Sequence, residues 1–347
     1  MLNGSTINDI TSPFTLSGED VFTGTLEDGS SFIFSTVTSD SLSGVNLIET
    51  STPELETTPQ TINTASTLRS ARVGQTLTVQ SNGELGDNFT AVDATLNIEA
   101  GAVGDVFEVV RSEINISGGA VGRDFTAYSG STVNVSGGEV GVGFDANSGS
   151  TVNISGGTVG FSFAANSGST VNISGGEVRS NFDASGSTVN ISEGQIGNFF
   201  EAFDGSTVDI SGGTVGDFFD AESGSTVNIS GGTFGNEFDA FSGSTVNLFG
   251  TEFFLNGSLV DTLTLGEPFT IFDRGEDVVL SGVFADGTLF DFDLIPNLSL
   301  FYSLDFFDPS STLTITRVAA IPEPGCGLTL ATMSLVLLVR RRRRALH

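Results

Sequence analysis

The chain has 347 residues, a formal net charge of −30, 38% apolar residues, 30 Phe and 45 Gly. This apolar content is enough to bury a core and excludes disorder on composition, and the acidic surface repels nucleic acid and anionic lipid, so neither is expected as a partner. The single Cys, Cys326, cannot form an internal disulfide and the single His, His347, ends the chain, so catalytic groups are restricted to carboxylates, hydroxyls and Arg.

Residues 1–48 are predicted to form a β-rich segment that resembles residues 254–296. The stretch GTLEDGSSFIF at 24–34 matches GVFADGTLFDF at 282–292, and each reads as a strand, an Asp-Gly turn and a second strand. No signal peptide is visible in this segment. We therefore expect the native start, with a signal peptide and further coils, to lie upstream of Met1. Residues 49–70 are polar and contain Pro, and they are predicted to form a linker or a cap.

Residues 71–252 repeat one short pattern. Seven of its nine spacings are 19 residues and two are 18, and such a fixed period is typical of a solenoid. The alternation in Thr-Val-Asn-Ile-Ser predicts a strand with one buried face, and the recurrent Gly argues against helix. The first apolar residues of these strands, which mark the repeat, are Leu77, Leu96, Ile114, Val133, Val152, Val171, Val189, Val208, Val227 and Val246.

A repeat of this length accommodates three short strands and three turns, and the first strand is expected to end at Gly-Gly. The fold class is therefore all-β: a parallel β-solenoid, or β-helix, of about ten 19-residue coils, with flanking β-hairpin segments and a short C-terminal hydrophobic helix. Two columns of repeated apolar residues are predicted to form the core. The first is Phe89, Phe107, Phe125, Phe144, Phe163, Phe182, Phe200, Phe219 and Phe238, and the second is Ile98, Ile116, Val135, Ile154, Ile173, Ile191, Ile210, Ile229 and Leu248.

The position after each core Phe is acidic in six of nine coils. Neighbouring carboxylates about 4.8 Å apart repel one another, and Ca²⁺, which binds oxygen ligands, would relieve the repulsion. A solvated acidic edge, or carboxylates that cap turn amides, explains the column equally well, and calorimetric titration with Ca²⁺ tests the choice. The column contains Glu108 and the candidate Ca²⁺ ligands Asp145, Asp183, Glu201, Asp220 and Asp239. No other cofactor is expected.

A second candidate surface is the outward row of Thr and Asn on the repeated strands. Seven coils, from Thr132 and Asn134 to Thr245 and Asn247, carry Thr-x-Asn or Thr-x-Asp. A regular row of hydroxyls and amides suits a repetitive ligand such as an extracellular polysaccharide, or ice. The alternative is that Thr favours strands and Asn ladders stabilise stacked coils.

An enzyme is the alternative of a different class, because β-helices also carry polysaccharide lyases and glycosidases. Such enzymes need a pair of carboxylates at a defined separation, or Ca²⁺ with a basic residue. Here the acidic column is repeated, and we find no coil with its own cluster of carboxylates and Arg. No catalytic residue is therefore predicted, and the chain is expected not to be an enzyme.

Residues 253–319 are predicted to form a C-terminal β segment, and residues 320–347 a sorting tail. The tail contains Pro322, Glu323 and Pro324, then an apolar run, then five basic residues: Arg340, Arg341, Arg342, Arg343 and Arg344. The apolar run would form a short transmembrane helix with its Arg cluster on the cytoplasmic side. The tail resembles the PEP-CTERM sorting signal of bacterial exported proteins.

The resemblance implies a route and an address. It implies that an exosortase-type enzyme in the membrane recognises Pro322-Glu323-Pro324 and removes the tail, after a transient stay in the inner membrane. It also implies delivery of the body to the cell envelope, cell surface or extracellular matrix. The repeat body has a looser similarity to autotransporter-like surface proteins. We therefore expect an exported repeat protein with a structural or adhesive role.

Overall fold

The computed structural model describes residues 20–26, 30–35, 58–296 and 304–319. All regular elements within these ranges are strands, and most belong to one stack of coils with parallel pairing. The predicted all-β parallel β-solenoid is therefore confirmed. The predicted sorting tail and its hydrophobic helix lie outside the described residues. Most of the segment before residue 58, including everything before Asp20, also lies outside the described residues.

One wall of the solenoid is a sheet of twelve strands, each paired in parallel with the strand of the next coil. We call this wall the long-strand sheet, and at the usual strand spacing it is roughly 53 Å long. Its strands are Gln60–Ile62, Thr76–Val79, Thr95–Ile98, Glu113–Val121, Thr132–Val140, Thr151–Val159, Thr170–Val178, Thr188–Ile196, Thr207–Val215, Thr226–Phe234, Thr245–Leu255 and Thr312–Arg317. In two early coils a separate short strand follows, Glu84–Leu85 and Ala102–Val103.

The opposite wall, the short-strand sheet, has eleven strands that also pair in parallel. Nine of them carry the core Phe or the two or three residues after it, whereas the first and the last follow Arg69 and Asp305 instead. The eleven strands are Ser70–Ala71, Thr90–Val92, Glu108–Val110, Thr126–Ala127, Asp145–Ala146, Phe163–Ala165, Phe182–Ala184, Phe200–Ala202, Phe219–Ala221, Phe238–Ala240 and Phe306–Phe307.

Both predicted core columns are confirmed. All nine Phe of the first column are at most 1% exposed, and so are all nine residues of the second. From Phe107 to Phe238 consecutive rings lie 4.6 to 4.9 Å apart with interplanar angles of 5 to 13°. Because the coils are in register, each ring is displaced by one strand spacing, and the rings form a continuous stack in the core.

Most coils turn at three residues in the left-handed conformation. In the coil that begins at Thr207 they are Gly213 (φ 83°), Phe218 (φ 62°) and Gly224 (φ 80°). Gly accepts this conformation without strain, whereas a side chain with Cβ does not. From the coil that begins at Glu113 to the coil that begins at Thr226, two corners are Gly, and the third, just before the core Phe, is filled by varied residues.

The expectation that Gly-Gly ends the first strand is wrong for most coils. The strand Thr207–Val215 runs through Gly212 and Gly213, with register shifts between Ile210 and Ser211 and between Ser211 and Thr214. The Gly pair therefore forms a bulge that bends the strand, because pairing with the next coil resumes on its far side.

The stack extends beyond the predicted limits of 71–252. Gln60–Ile62 pairs with the strand at Leu77, so part of the predicted linker is a coil. At the other end Thr312–Arg317 pairs with the strand at Thr245, so part of the predicted C-terminal β segment is also a coil. The sequence SSTLTIT at 310–316 resembles the repeat GSTVNIS, which is the signal that would have predicted it.

The two predicted hairpins form with matching registers. Val21–Thr25 pairs with Ser31–Ser35, and Gly24 lies opposite Phe32. Val279–Phe284 pairs with Leu289–Asp293, and Gly282 lies opposite Phe290.

The two hairpins nevertheless pack in different places. The N-terminal hairpin covers the outer side of the first coils, where Val21 and Ile33 pack against Val92, Val110 and Tyr128. The C-terminal hairpin pairs antiparallel with the end of Thr245–Leu255 and closes the end of the core. There the Phe292 ring lies 5.3 Å from the ring of Phe238. The smaller strands Ser258–Leu259 and Pro268–Thr270 complete this end.

Candidate functional site

The predicted acidic residues lie in one column of the short-strand sheet, which we call the carboxylate file. The pairing of the strands places each of these residues beside the equivalent residue of the next coil. The uncharged residues Thr126 and Ala164 interrupt the column of carboxylates. Its uninterrupted part is four residues on consecutive coils, roughly 4.8 Å apart. These four are Asp183, Glu201, Asp220 and Asp239.

The file holds its protons more tightly than isolated carboxyl groups do. Burial, together with the neighbouring charges of Glu201 and Glu222, raises the pKa of Asp220 to about 7. Burial, together with the charge of Asp220, raises the pKa of Asp239 to about 7 as well. The pKa values of Asp145, Asp183 and Glu201 are also raised, with burial as the main cause.

The structure leaves the Ca²⁺ hypothesis as a prediction. Within the described ranges, no group of three or more His, Cys, Asp or Glu side chains is arranged to hold a metal ion. The file offers one carboxylate for each coil along a straight line, whereas Ca²⁺ takes six to eight oxygen ligands around one point.

The row of outward residues on the long-strand sheet forms the second candidate surface, the Thr/Asn face. Its Asn side chains form a ladder in which each amide nitrogen donates to the amide oxygen of the preceding coil. The distances run from 2.8 to 3.0 Å between Asn97 and Asn190. The ladder stabilises the stacked coils, as the structural alternative predicted, and it leaves a regular row of Thr beside it.

The ladder is interrupted at Asp209. Asn190 lies opposite Asp209 in register, and its amide oxygen would accept from the next coil if the ladder continued. A carboxylate has no N–H to donate, so two sets of oxygen acceptors face each other at this rung. On the far side Asn228 donates to Asp209 over 2.6 Å, and the ladder resumes from Asn228 to Asn247.

A shallow depression of about 400 Å³ lies beside this interruption. Its polar lining is the Asp209 carboxylate, the Asn228 amide and the hydroxyls of Ser211 and Ser230, and Phe249 forms an apolar side. We call it the Asp209 depression.

Phe249 departs from the repeat in the same region. It takes the position that Ser211 and Ser230 hold in the two preceding coils, and the end of its strand pairs with the C-terminal hairpin. The sequence analysis missed this site, although Asp in the row of Asn and Phe in the row of Ser were both visible.

A third surface, also missed from sequence, lies at the corner before the short strands. Val142, Phe161 and Phe199 are 42%, 44% and 45% exposed. The Phe199 ring stacks on that of Phe218 at 4.7 Å, and the Arg179 guanidinium lies 5.7 Å from the ring centre of Phe161. The stripe is one residue wide, too narrow for the roughly 800 Å² per partner that a stable protein interface buries.

The predicted sorting residues cannot be placed. Pro322, Glu323, Pro324 and the cluster Arg340–Arg344 lie outside the described residues. In the portion that is described, no helix has the length and apolar character needed to span a membrane.

Comparisons with known proteins add little. No family model matches the chain, and no curated protein is similar to it. One solved structure, titled "Crystal structure of TibC-catalyzed hyper-glycosylated TibA55-350 fragment", aligns at 18% identity over 55% of this chain and 90% of that fragment. The TM-score is 0.25, and a score this low supports no inference about this chain.

Proposed function

We propose that this protein is an exported repeat protein with a structural or adhesive role at the cell surface or in the extracellular matrix. The observation that carries the proposal is the in-register stack of twelve coils, seven of which, from Thr132 to Thr245, present Thr with Asn or Asp at a constant spacing along one face. Repetition of this kind favours contact with a repetitive partner over a single reaction site.

The Thr/Asn face is the surface proposed for that contact, with a polysaccharide as the partner. The Asn amides are largely satisfied by the ladder, so the face is held rigid and costs little ordering on binding. Ahead of the terminal Arg cluster there are seven Arg against 42 acidic residues. This charge repels nucleic acid and polyanions and favours an uncharged polymer.

The proposed route depends on the tail. Pro322-Glu323-Pro324, the apolar run and the Arg cluster support recognition by an exosortase-type enzyme, a transient inner-membrane stage and removal of the tail. Fractionation of native cells, with mass spectrometry of the C-terminal peptide, tests this route. Recovery outside the inner membrane with an end near Pro324 is expected. Recovery in the inner membrane with Arg340–Arg344 attached would make the tail a plain anchor and would remove the main support for a surface role.

The proposed role is not catalytic. The carboxylate file and the ladder repeat from coil to coil, whereas a glycosidase or lyase needs one pair of groups at a defined separation. Incubation of the full chain with a panel of polysaccharides, followed by a reducing-sugar assay, is expected to show no release. Sustained release would favour the polysaccharide-degrading alternative instead.

A further inference from the structure

We infer that the Asp209 depression binds an uncharged sugar residue and serves as a specific anchoring site at the C-terminal end of the Thr/Asn face. This inference rests on the proposed surface role and adds to it the position and the chemistry of contact. Three features of the site support it: an excess of hydrogen-bond acceptors, an apolar side wall and a backbone that the C-terminal hairpin holds in place.

The excess of acceptors calls for a ligand that donates hydrogen bonds. In the depression the Asp209 carboxylate accepts a hydrogen bond from the Asn228 amide over 2.6 Å, and a carboxylate can accept several more. The hydroxyls of Ser211 and Ser230 lie 3.3 and 3.4 Å from backbone carbonyls and therefore donate inward. Sugar hydroxyls are donors that fit this set of oxygens, and a hydrogen bond to a carboxylate is among the stronger kinds.

The apolar side wall is the ring of Phe249. The repeat places Ser at this position, so the ring is an addition that the coil itself does not need. A pyranose has an apolar face of C–H groups that can pack on an aromatic ring, while its hydroxyls reach the Asp209 side. Binding sites for small ligands combine apolar walls with a few placed polar groups, and about 400 Å³ lies within their usual range.

The backbone of two lining residues, Ser230 and Phe249, is held by the turn of the C-terminal hairpin. The backbone N–H of Ala285 donates to the carbonyl of Phe249 over 3.1 Å, and that of Asp286 donates to the carbonyl of Ser230 over 3.2 Å. The Asp286 carboxylate also accepts from the backbone N–H of Gly232 over 2.9 Å. These bonds fix the backbone around the depression before a ligand arrives, which lowers the entropy lost on binding.

The charge of the site selects against acidic ligands. Asp209 places a carboxylate in the site, and the chain as a whole has a net charge of −30, so uronic acids and sulfated sugars are repelled. The inference is therefore limited to neutral sugars, presented as single residues or as units of a neutral polysaccharide.

The test uses Asp209→Asn in the full chain. This variant supplies the missing N–H to Asn190 and continues the ladder, so it is expected to fold and to raise the Tm by about 2–4 °C. It also removes the charged acceptor, and binding of a neutral sugar is expected to weaken by about 10–100-fold. Phe249→Ser, which restores the residue of the repeat, is expected to weaken binding with Asp209 unchanged. The matched control Glu193→Gln removes an equal charge from an exposed position and should bind as the native chain does.

Affinity electrophoresis in gels that contain dextran, a soluble β-glucan or a mannan gives the readout, and oligosaccharides of any retarding polymer are then titrated by calorimetry. Retardation of the native chain that both site variants lose supports the inference. Equal retardation of all four proteins would overturn the site but leave an adhesive role intact. Absence of retardation with all three neutral polymers would overturn the inference outright. Cell fractionation judges the surface role separately.

Discussion

Replacement of Asp220 by Asn is expected to stabilise the solenoid in alkaline solution and to have little effect in acid. In the folded chain, burial and neighbouring carboxylates raise the pKa of Asp220 from 3.8 to about 7. Between these two values the folded state binds more protons than the unfolded state. The free energy of unfolding therefore falls as the pH rises through this window, and the penalty is complete above about pH 7.

The size of the effect follows from the shift. About three pKa units correspond to about 4 kcal/mol for a fully buried group. The Asp220 side chain is only partly buried, so solvent screening reduces the expected penalty to about 1–2 kcal/mol. For a chain of this size that amounts to a Tm difference of about 2–6 °C. Asp308 does not affect the pH dependence of the stability between pH 3.8 and about pH 7, because hydrogen bonds from Ser310 hold its pKa below 3.8. Its contribution to stability is lost only in stronger acid.

The assay is thermal unfolding of the native chain, Asp220→Asn and Glu193→Gln from about pH 4.5 to about pH 8.5. The Asp220→Asn variant should melt above the native chain at the alkaline end and close to it at the acidic end. Glu193→Gln, which removes the same charge from an exposed side chain, should show no such trend. A Tm difference that is constant across the range, or one that Glu193→Gln reproduces, would refute the reasoning.

Three further predictions concern the coil itself and are read as free energies of unfolding from chemical denaturation. Phe182→Ala removes a fully buried ring from the core stack and is expected to lower the free energy of unfolding by about 3–5 kcal/mol. Phe161→Ala, at an exposed corner, should lower it by well under half as much. Equal losses would contradict the stacked core. Val106→Asn places a residue that tolerates the left-handed region at φ 59° and is expected to stabilise by about 1 kcal/mol; a loss of stability would argue against that conformation. Gly157 has φ 71°, and Gly157→Ala would place a Cβ 2.7 Å from the backbone carbonyl carbon of Gly137, so this variant is expected to lose about 2 kcal/mol or more of stability. Gly86→Ala, whose Cβ meets open space, should be nearly neutral. Similar losses for the two variants would mean that the corner at Gly157 relaxes easily.

The core and the coil were predictable because both depend on a period. Phe182 and Ile173 each belong to a set of similar residues that recur at a fixed interval. A constant period stacks equivalent positions of successive coils in one column, whatever the conformation of the turns. The carboxylate file followed for the same reason, since Asp220 occupies one position of that period. The bulge at Gly213 was not predicted, because Gly both ends strands and permits bulges and only pairing with the next coil decides between them.

The Asp209 depression was not predicted because it depends on departures from the period. Asp209 and Phe249 lie two coils apart in sequence, and each substitution alone has an ordinary explanation on an exposed strand. They line one depression at the place where the end of Thr245–Leu255 pairs with the C-terminal hairpin instead of continuing the coil. That event depends on contacts between distant segments, which local pattern does not encode.

The sequence by itself determined the fold class, the register of the coils, the two core columns and the pairing within both hairpins, because all of these follow from local alternation or from repetition. Only the tertiary structure decided where each hairpin lies. Gly24 and Gly282 occupy matching positions in similar sequences, yet one hairpin covers the side of the first coils and the other closes the end of the core. The physical reason is that hairpin pairing depends on the residues of the hairpin, whereas docking depends on which apolar surface remains uncovered. Val92, Val110 and Tyr128 provide that surface at one end, and the exposed edge of the Phe stack provides it at the other.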